Sequence, residues 1–178
     1  MKKTFWCLIV LLVFSCKQVE VTDVYNEEPV TAEYPCVSDA LNCLDSINVQ
    51  GGSVNFYSSF SLDSINLVSG AIIVVHGATR NGDDYFNRMI STIKSVGLED
   101  SIMVIAPQFI TEYEKVHDKD WYWNTTSWKW GNQSYMNGSQ TSISSFEVID
   151  FLLSRAADIN KFPNLSKVLI TGHSSGSA

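Results

Sequence analysis

The sequence has little positive charge, few histidines and only short hydrophobic runs. Its 178 residues include three histidines and 12 basic side chains against 19 acidic ones, a formal net charge of −7. This balance argues against nucleic acid or anionic lipid surfaces as electrostatic partners. No repeat of fixed period and no low-complexity segment is present, and 45% of the residues are hydrophobic. The chain therefore has the composition of one ordinary folded domain.

The longest apolar run is too short to cross a membrane. It extends over ten residues, from Phe5 to Phe14, whereas a bilayer core of about 30 Å needs roughly 20 helical residues. Lys2 and Lys3 precede the run and give it a basic start. These features predict a signal peptide over residues 1–15 and an exported protein.

A cysteine follows this run directly. Val13-Phe14-Ser15-Cys16 resembles a bacterial lipobox, which implies lipidation of Cys16 and attachment to a membrane through the lipid. The alternative is a plain secretory signal that is cut near Ser15. We expect a cell-envelope lipoprotein, on the outer membrane or a membrane facing the periplasm, and otherwise a secreted protein. Removal of the signal leaves 10 of the 12 basic residues against 19 acidic ones, a net charge of −9.

Two further cysteines are candidates for a local cross-link. Cys36 and Cys43 are seven positions apart. In an oxidising compartment they could close a small disulfide. A metal site is the rival interpretation, but no histidine is nearby to complete it. We expect no metal and no cofactor.

The hydrophobic pattern divides the chain into a tether and a folded domain. Residues 16–50 are polar and acidic and are interpreted as a lipid-anchored tether with a pre-core segment. Strands alternate with amphipathic helices over residues 51–178, which predicts an α/β domain with a parallel sheet. The predicted strands are 54–60 (an edge strand), 71–75, 102–106 and 168–171, and the predicted helices begin near Gly82 and at the capping box Ser144–Glu147.

The last predicted strand runs into a G-x-S-x-G pentapeptide, Gly172-His173-Ser174-Ser175-Gly176. A serine nucleophile needs a sharp strand-to-helix turn that lifts its hydroxyl clear of the sheet, with small residues on both sides. The alternative is a Gly/Ser-rich turn that binds phosphate at a helix N-terminus, but the lysine-containing loop of a P-loop is absent. We predict Ser174 as a nucleophile.

A second loop complements this motif. Val74-Val75-His76-Gly77-Ala78-Thr79 places His-Gly at the end of a buried strand. With the pentapeptide, it makes residues 68–178 resemble the α/β-hydrolase superfamily. The resemblance implies a mainly parallel sheet with flanking helices. It further implies an oxyanion hole formed by the backbone N–H groups of Ser175 and of Ala78 (or Thr79), with His76 fixing the loop.

The rest of a catalytic triad is missing from the sequence. The resemblance implies an acid and then a histidine well downstream of Ser174, but the chain ends at Ala178. None of His76, His117 and His173 has a position that marks it as the base. We therefore expect a chain truncated after the nucleophile, a fragment that is itself inactive.

An aromatic segment separates the second predicted parallel strand from the capped helix. It contains four of the five tryptophans, Trp121, Trp123, Trp128 and Trp130. These residues are interpreted either as a platform that stacks on sugar or aromatic acyl groups, or as a small core of the loop itself. We predict an extracytoplasmic serine esterase acting on a carbohydrate ester or another small ester. The alternative is a non-catalytic carbohydrate-binding module.

Overall fold

The structure, a computed structural model, describes residues 35–177. The predicted signal peptide and the predicted lipidation site Cys16 lie outside these residues. Within residues 35–177, no helix has both the length and the apolarity needed to cross a membrane. The strands are β1 (Leu44–Val49), β2 (Gly52–Ser58), β3 (Gly70–Val75), β4 (Ile102–Gln108) and β5 (Lys167–Gly172), and the α-helices are α1 (Gly82–Ser95) and α2 (Ser145–Ala156).

The five strands form one mixed sheet in the order β1-β2-β4-β3-β5. β1 with β2 and β2 with β4 are antiparallel, whereas β3 is parallel to both β4 and β5. The prediction of a mainly parallel sheet with the flanking helices of an α/β-hydrolase is therefore wrong. Half of the strand pairings are antiparallel, and residues 35–177 contain two α-helices.

The difference arises from a hairpin that the sequence pattern concealed. Gln50 and Gly51 join β1 to β2 with φ values of 51° and 87°, which is the geometry of a tight hairpin turn. β1 is exposed along most of its length and mixes polar with apolar residues, so its pattern does not indicate a buried strand. The folded domain consequently begins before residue 51. β2 is an interior strand, not the predicted edge strand, since β1 pairs with its outer side.

The central strands are apolar on both faces because a helix packs against each face. Ile73 and Val75 of β3 belong to a cluster with α2, and Val74 belongs to the cluster that contains α1. Alternate side chains of one strand point to opposite faces. The two helices therefore lie on opposite sides of the sheet, which explains the continuous β-branched run in β3.

Local signals set the ends of the two helices. Gly97 has φ +68° and donates its N–H to Lys94 O, so it ends α1. The predicted capping box of Ser144 and Glu147 at the start of α2 is confirmed. The buried face of α2 is formed by Ser145, Val148, Leu152 and Ala156, whereas Phe146 is 52% exposed.

A disulfide joins Cys36 and Cys43 and holds the short 3-10 turn Ala40–Cys43. Ala40 and Cys43 are buried in the cluster that contains α1. The cross-link therefore fixes the start of the described chain against the fold.

We expect removal of this disulfide, in a Cys36→Ser/Cys43→Ser double variant, to lower the free energy of unfolding by about 2.5 kcal/mol. The loop closed by the bond is short, and its chain-entropy effect is correspondingly modest. Urea unfolding with and without dithiothreitol measures the effect. The double variant should not respond to the reductant, and equal midpoints for both proteins in its absence would contradict the prediction.

Candidate active site at the end of strand β5

Ser174 occupies the first position of a turn that follows β5 directly. β5 ends at Gly172, and the 3-10 turn Ser174–Ser177 begins two residues later. Ser174 has φ +56°, the left-handed region that a side chain with a Cβ rarely adopts, and it is exposed. Such strain persists only where the surroundings enforce it, and it is common at functional sites.

Two glycines make this turn sterically feasible. A Cβ on Gly172 would overlap the backbone carbonyl of Gly176. A Cβ on Gly176 would lie 2.5 Å from His76 O and would overlap Val75 O. The turn therefore packs directly against the end of β3. The two glycines of the pentapeptide are required by backbone contacts.

The loop after β3 lies beside Ser174. Val75 pairs with Gly172 in the parallel register, so both strands end at the same edge of the sheet. A Cβ added to Gly77 would lie 3.8 Å from Ser174 Cβ and 3.0 Å from Tyr85 Oη. The sheet thus brings the two predicted motifs together, and Gly77 lets the backbone of its loop approach the serine.

The two loops beside Ser174 contain backbone N–H groups that are available as hydrogen-bond donors. Arg80 N donates to Gly77 O at 3.0 Å and closes the turn. Within residues 35–177, the N–H groups of Ala78, Thr79 and Ser175 have no hydrogen-bond acceptor. Free amides next to an exposed hydroxyl are the donor type that can stabilise a developing oxyanion.

The side chain of His76 fixes the position of the loop that contains Gly77. Its side chain is fully buried, with Nδ1 3.0 Å from Gly77 O and Nε2 accepting the Phe109 N–H at 3.2 Å. The ring thereby connects the loop after β3 to the segment after β4. Burial, with a smaller contribution from nearby Arg80, lowers the pKa of His76 to about 4, although the hydrogen bond with Gly77 opposes the shift. His76 is therefore a neutral structural residue at neutral pH.

No general base is in place at Ser174. Among residues 35–177 no side chain forms a hydrogen bond with the Ser174 hydroxyl. His173 Nδ1 is 3.4 Å from Tyr85 Oη, and His117 lies in an exposed part of the aromatic segment. Both nitrogens of His76 are engaged elsewhere.

The predicted tryptophan platform is wrong for two of its members. Trp121 and Trp123 are each 1% exposed and lie in the main core. The indole N–H of Trp121 donates to Val49 O at 2.7 Å, and that of Trp123 donates to Asn132 O at 3.0 Å. Buried indoles whose N–H is satisfied cannot stack on a ligand.

Trp128 and Trp130 differ in their exposure to solvent. Trp128 is 2% exposed and stacks on Phe109, with ring centroids 5.2 Å apart. It also contributes to a cleft of about 400 Å³ that opens beside Ser175 and Gly176. Trp130 is 65% exposed and lies against Lys129. Three of the four tryptophans therefore belong to the main core of the domain, and the aromatic segment forms neither a platform of four rings nor a separate small core.

Sequence reasoning missed Tyr85 and a group of tyrosines. Tyr85 lies in the first turn of α1 and places its hydroxyl between Gly77 and His173. Tyr113, Tyr122 and Tyr135 line an open cleft in the aromatic segment. Their spacing gives no periodic signal, and the neighbouring tryptophans dominate the pattern. In the described part of the chain, no three His, Cys, Asp or Glu residues cluster as metal ligands would.

Comparison with known proteins gives one distant structural likeness. No family model matches the sequence, and no curated protein matches it. The predicted resemblance to the α/β-hydrolase superfamily is contradicted by the mixed sheet, in which two of the four strand pairings are antiparallel. The solved structure of poly(aspartic acid) hydrolase-1 from Sphingomonas sp. KT-1 is 22% identical, over 75% of this chain, with a TM-score of 0.44. The aligned part covers 47% of that protein, so the chain spans about half of its length.

Proposed function

We propose that this protein is a serine hydrolase in which Ser174 attacks a carboxylic ester and forms an acyl-enzyme. The observation that carries the proposal is the position of Ser174. It is exposed, it has φ +56°, and its Cβ is 3.8 Å from the point where a Cβ on Gly77 would lie. Strain, exposure and a close glycine loop together are more specific than the pentapeptide alone.

The amides beside Ser174 support the chemistry of acyl transfer. As Oγ attacks the carbonyl carbon, the carbonyl oxygen becomes negative, and the N–H groups of Ser175 and of Ala78 or Thr79 would donate to it. Each such donor typically lowers the barrier by about 3 kcal/mol. The Oγ proton passes to a base and then to the leaving alcohol, and water releases the acid. The proposal requires a base and an orienting acid besides the residues described at Ser174.

A fluorophosphonate probe tests the assignment of the nucleophile. We expect a protein that contains the required base and acid to be labelled at Ser174 and its Ser174→Ala variant to remain unlabelled, because phosphonylation needs an activated Oγ on Ser174. Ser175→Ala is the matched control, since it removes the adjacent hydroxyl and keeps the backbone N–H. The readout is intact mass, followed by peptide mapping.

Two outcomes would count against the proposal. Label on a serine other than Ser174 would reject the assigned nucleophile. A folded protein that contains the required base and acid but takes no label would favour the alternative function, a non-catalytic carbohydrate-binding module.

A further inference from the structure

An open cleft lined by tyrosines lies in the aromatic segment, apart from the cleft beside Ser175. It has a volume of about 350 Å³, in the range of ligand sites. Its aromatic walls are Tyr113, Tyr122 and Tyr135, and we call it the tyrosine cleft. Tyr113 is 95% exposed and Tyr135 is 53% exposed. Aromatic side chains this open to water leave apolar ring faces available to a ligand.

The backbone holds two of these rings side by side. Tyr122 and Tyr135 form an antiparallel bridge, with N–H···O distances of 3.0 and 2.7 Å in the two directions. Their ring centroids are 5.6 Å apart and the ring planes differ by 31°. Lys115 Nζ lies 4.7 Å from the Tyr122 centroid and restrains that ring. The rings of Tyr122 and Tyr135 are therefore held in place by the backbone bridge and by Lys115, not by their own hydroxyl groups.

Polar groups stand next to the rings. Glu112 is an exposed carboxylate on the lining of the tyrosine cleft. Asn124 Oδ1 accepts the N–H groups of Thr126 and Ser127 at 3.2 and 2.7 Å, which fixes the amide. Within residues 35–177, Asn124 Nδ2 has no acceptor. The cleft thus offers ring faces, a fixed donor and a strong acceptor.

The tyrosine cleft lies at the same edge of the sheet as Ser174. Glu114, in the segment that forms one wall of the cleft, pairs with Arg80 at 2.9 Å. Arg80 closes the turn that begins at Gly77. A second connection runs through the rings of Trp123, Phe109 and His76, with successive centroids 5.1 and 5.5 Å apart. The segment that forms the tyrosine cleft is therefore connected to the loop that borders the serine by an ion pair and by packed rings.

We propose that the tyrosine cleft binds a neutral saccharide. The C–H groups of a pyranose ring carry partial positive charge and pack on the negative faces of aromatic rings, while its hydroxyl groups need donors and acceptors beside those faces. The Glu112 carboxylate and the net charge of −7 disfavour an acidic polymer. Resting on the proposed function, the saccharide is the carbohydrate part of the ester that Ser174 cleaves.

Affinity electrophoresis of the full chain tests the proposal. The native gels contain soluble arabinoxylan, mixed-linkage β-glucan or glucomannan as neutral probes, and polygalacturonate as the acidic probe. We expect retardation by at least one neutral polysaccharide and none by polygalacturonate. Tyr122→Ala/Tyr135→Ala should weaken the interaction about tenfold, because two stacking faces are lost. The backbone bridge remains in this variant, and circular dichroism confirms folding.

Matched variants distinguish stacking from other causes. Tyr122→Phe/Tyr135→Phe keeps both rings and should bind within about twofold of the wild type. Trp130→Ala removes an exposed aromatic side chain outside the cleft and should have no effect. Ser174→Ala should bind normally, which separates saccharide binding from hydrolysis.

The proposal fails if no neutral polysaccharide retards the wild type, or if polygalacturonate alone does. It also fails if the alanine double variant binds normally, or if the phenylalanine double variant loses binding. Fluorophosphonate labelling of Ser174 without saccharide binding would overturn this inference and leave the proposed function intact. Saccharide binding without labelling of Ser174 would overturn the proposed function and leave the assignment of the tyrosine cleft intact.

Discussion

In a protein that contains the required base and acid, replacing Ser174 by glycine is expected to abolish ester hydrolysis. The glycine variant is expected to be more stable than the alanine variant. Loss of a nucleophilic serine lowers kcat on the order of 10⁶-fold in well-studied serine hydrolases. Ser174 has φ +56°, which costs an L-residue roughly 1–2 kcal/mol relative to glycine. The greater entropy of glycine in the unfolded chain offsets about 0.4–1 kcal/mol of this difference. We therefore expect Ser174→Gly to exceed Ser174→Ala in unfolding free energy by roughly 0.5–1 kcal/mol.

The experiment combines turnover of a chromogenic short-chain ester with urea unfolding. Gly138→Ala is a control for the backbone effect, since Gly138 has φ +70° with open space around it. That variant should lose about 1 kcal/mol of stability and keep its activity. Equal stability of Ser174→Gly and Ser174→Ala would show that the turn is not strained at this position. Hydrolysis that persists in both variants would exclude Ser174 as the nucleophile.

Acidification from pH 6.5 to pH 4 is expected to reduce the unfolding free energy by about 3 kcal/mol through His76 alone. Burial lowers the pKa of His76 from 6.5 to about 4 in the folded protein. The unfolded chain therefore binds a proton in this interval that the folded chain does not, so stability falls as the pH falls. The slope approaches about 1.4 kcal/mol per pH unit where the unfolded histidine is charged and His76 is neutral. The effect levels off below about pH 4.

Denaturant unfolding at half-unit intervals between pH 7 and pH 5 measures this slope above the range in which most carboxylates titrate. His76→Asn, if folded, should show a flatter profile over the same interval. A second measurement does not depend on that variant: the imidazole Cε1–H resonance of His76 should not shift between pH 7 and pH 5.5. Titration of that resonance near pH 6.5 would contradict a buried neutral ring.

The sequence predicted those parts of the fold where side-chain pattern and burial agree. The β-branched run in β3 and the apolar run in β4 are buried on both faces, so their composition alone identifies them. β1 was missed because it is an exposed edge strand, whose mixed polar and apolar residues follow no regular burial pattern. Its antiparallel pairing with β2 depends on the turn at Gln50-Gly51. β2 in turn pairs antiparallel with β4, a long-range contact that no local pattern predicts, and the two pairings make the sheet mixed.

The candidate site likewise has parts that the sequence predicts and parts that it does not. The pentapeptide and the His-Gly loop were predictable because both are local motifs at strand ends, and the parallel register of β3 and β5 brings them together. The tryptophans were ambiguous because composition does not show whether an aromatic ring faces the core or water. Trp123 is buried, whereas its neighbour Tyr122, which bridges to Tyr135, lines the open tyrosine cleft. Which of two neighbouring aromatic side chains faces the core depends on the tertiary contacts of each one.

The burial of Trp121, Trp123 and Trp128 gives the protein an intrinsic optical probe. Three indoles in a dry core emit at short wavelength, and their emission shifts to the red when unfolding exposes them to water. The imidazole of His76 lies 4.6 Å from the Trp128 ring, within the contact distance at which a charged imidazolium quenches indole fluorescence. A fall in intensity without a wavelength shift therefore reports protonation of the buried ring, whereas a red shift reports loss of the core. One emission spectrum thus separates the two acid-induced events.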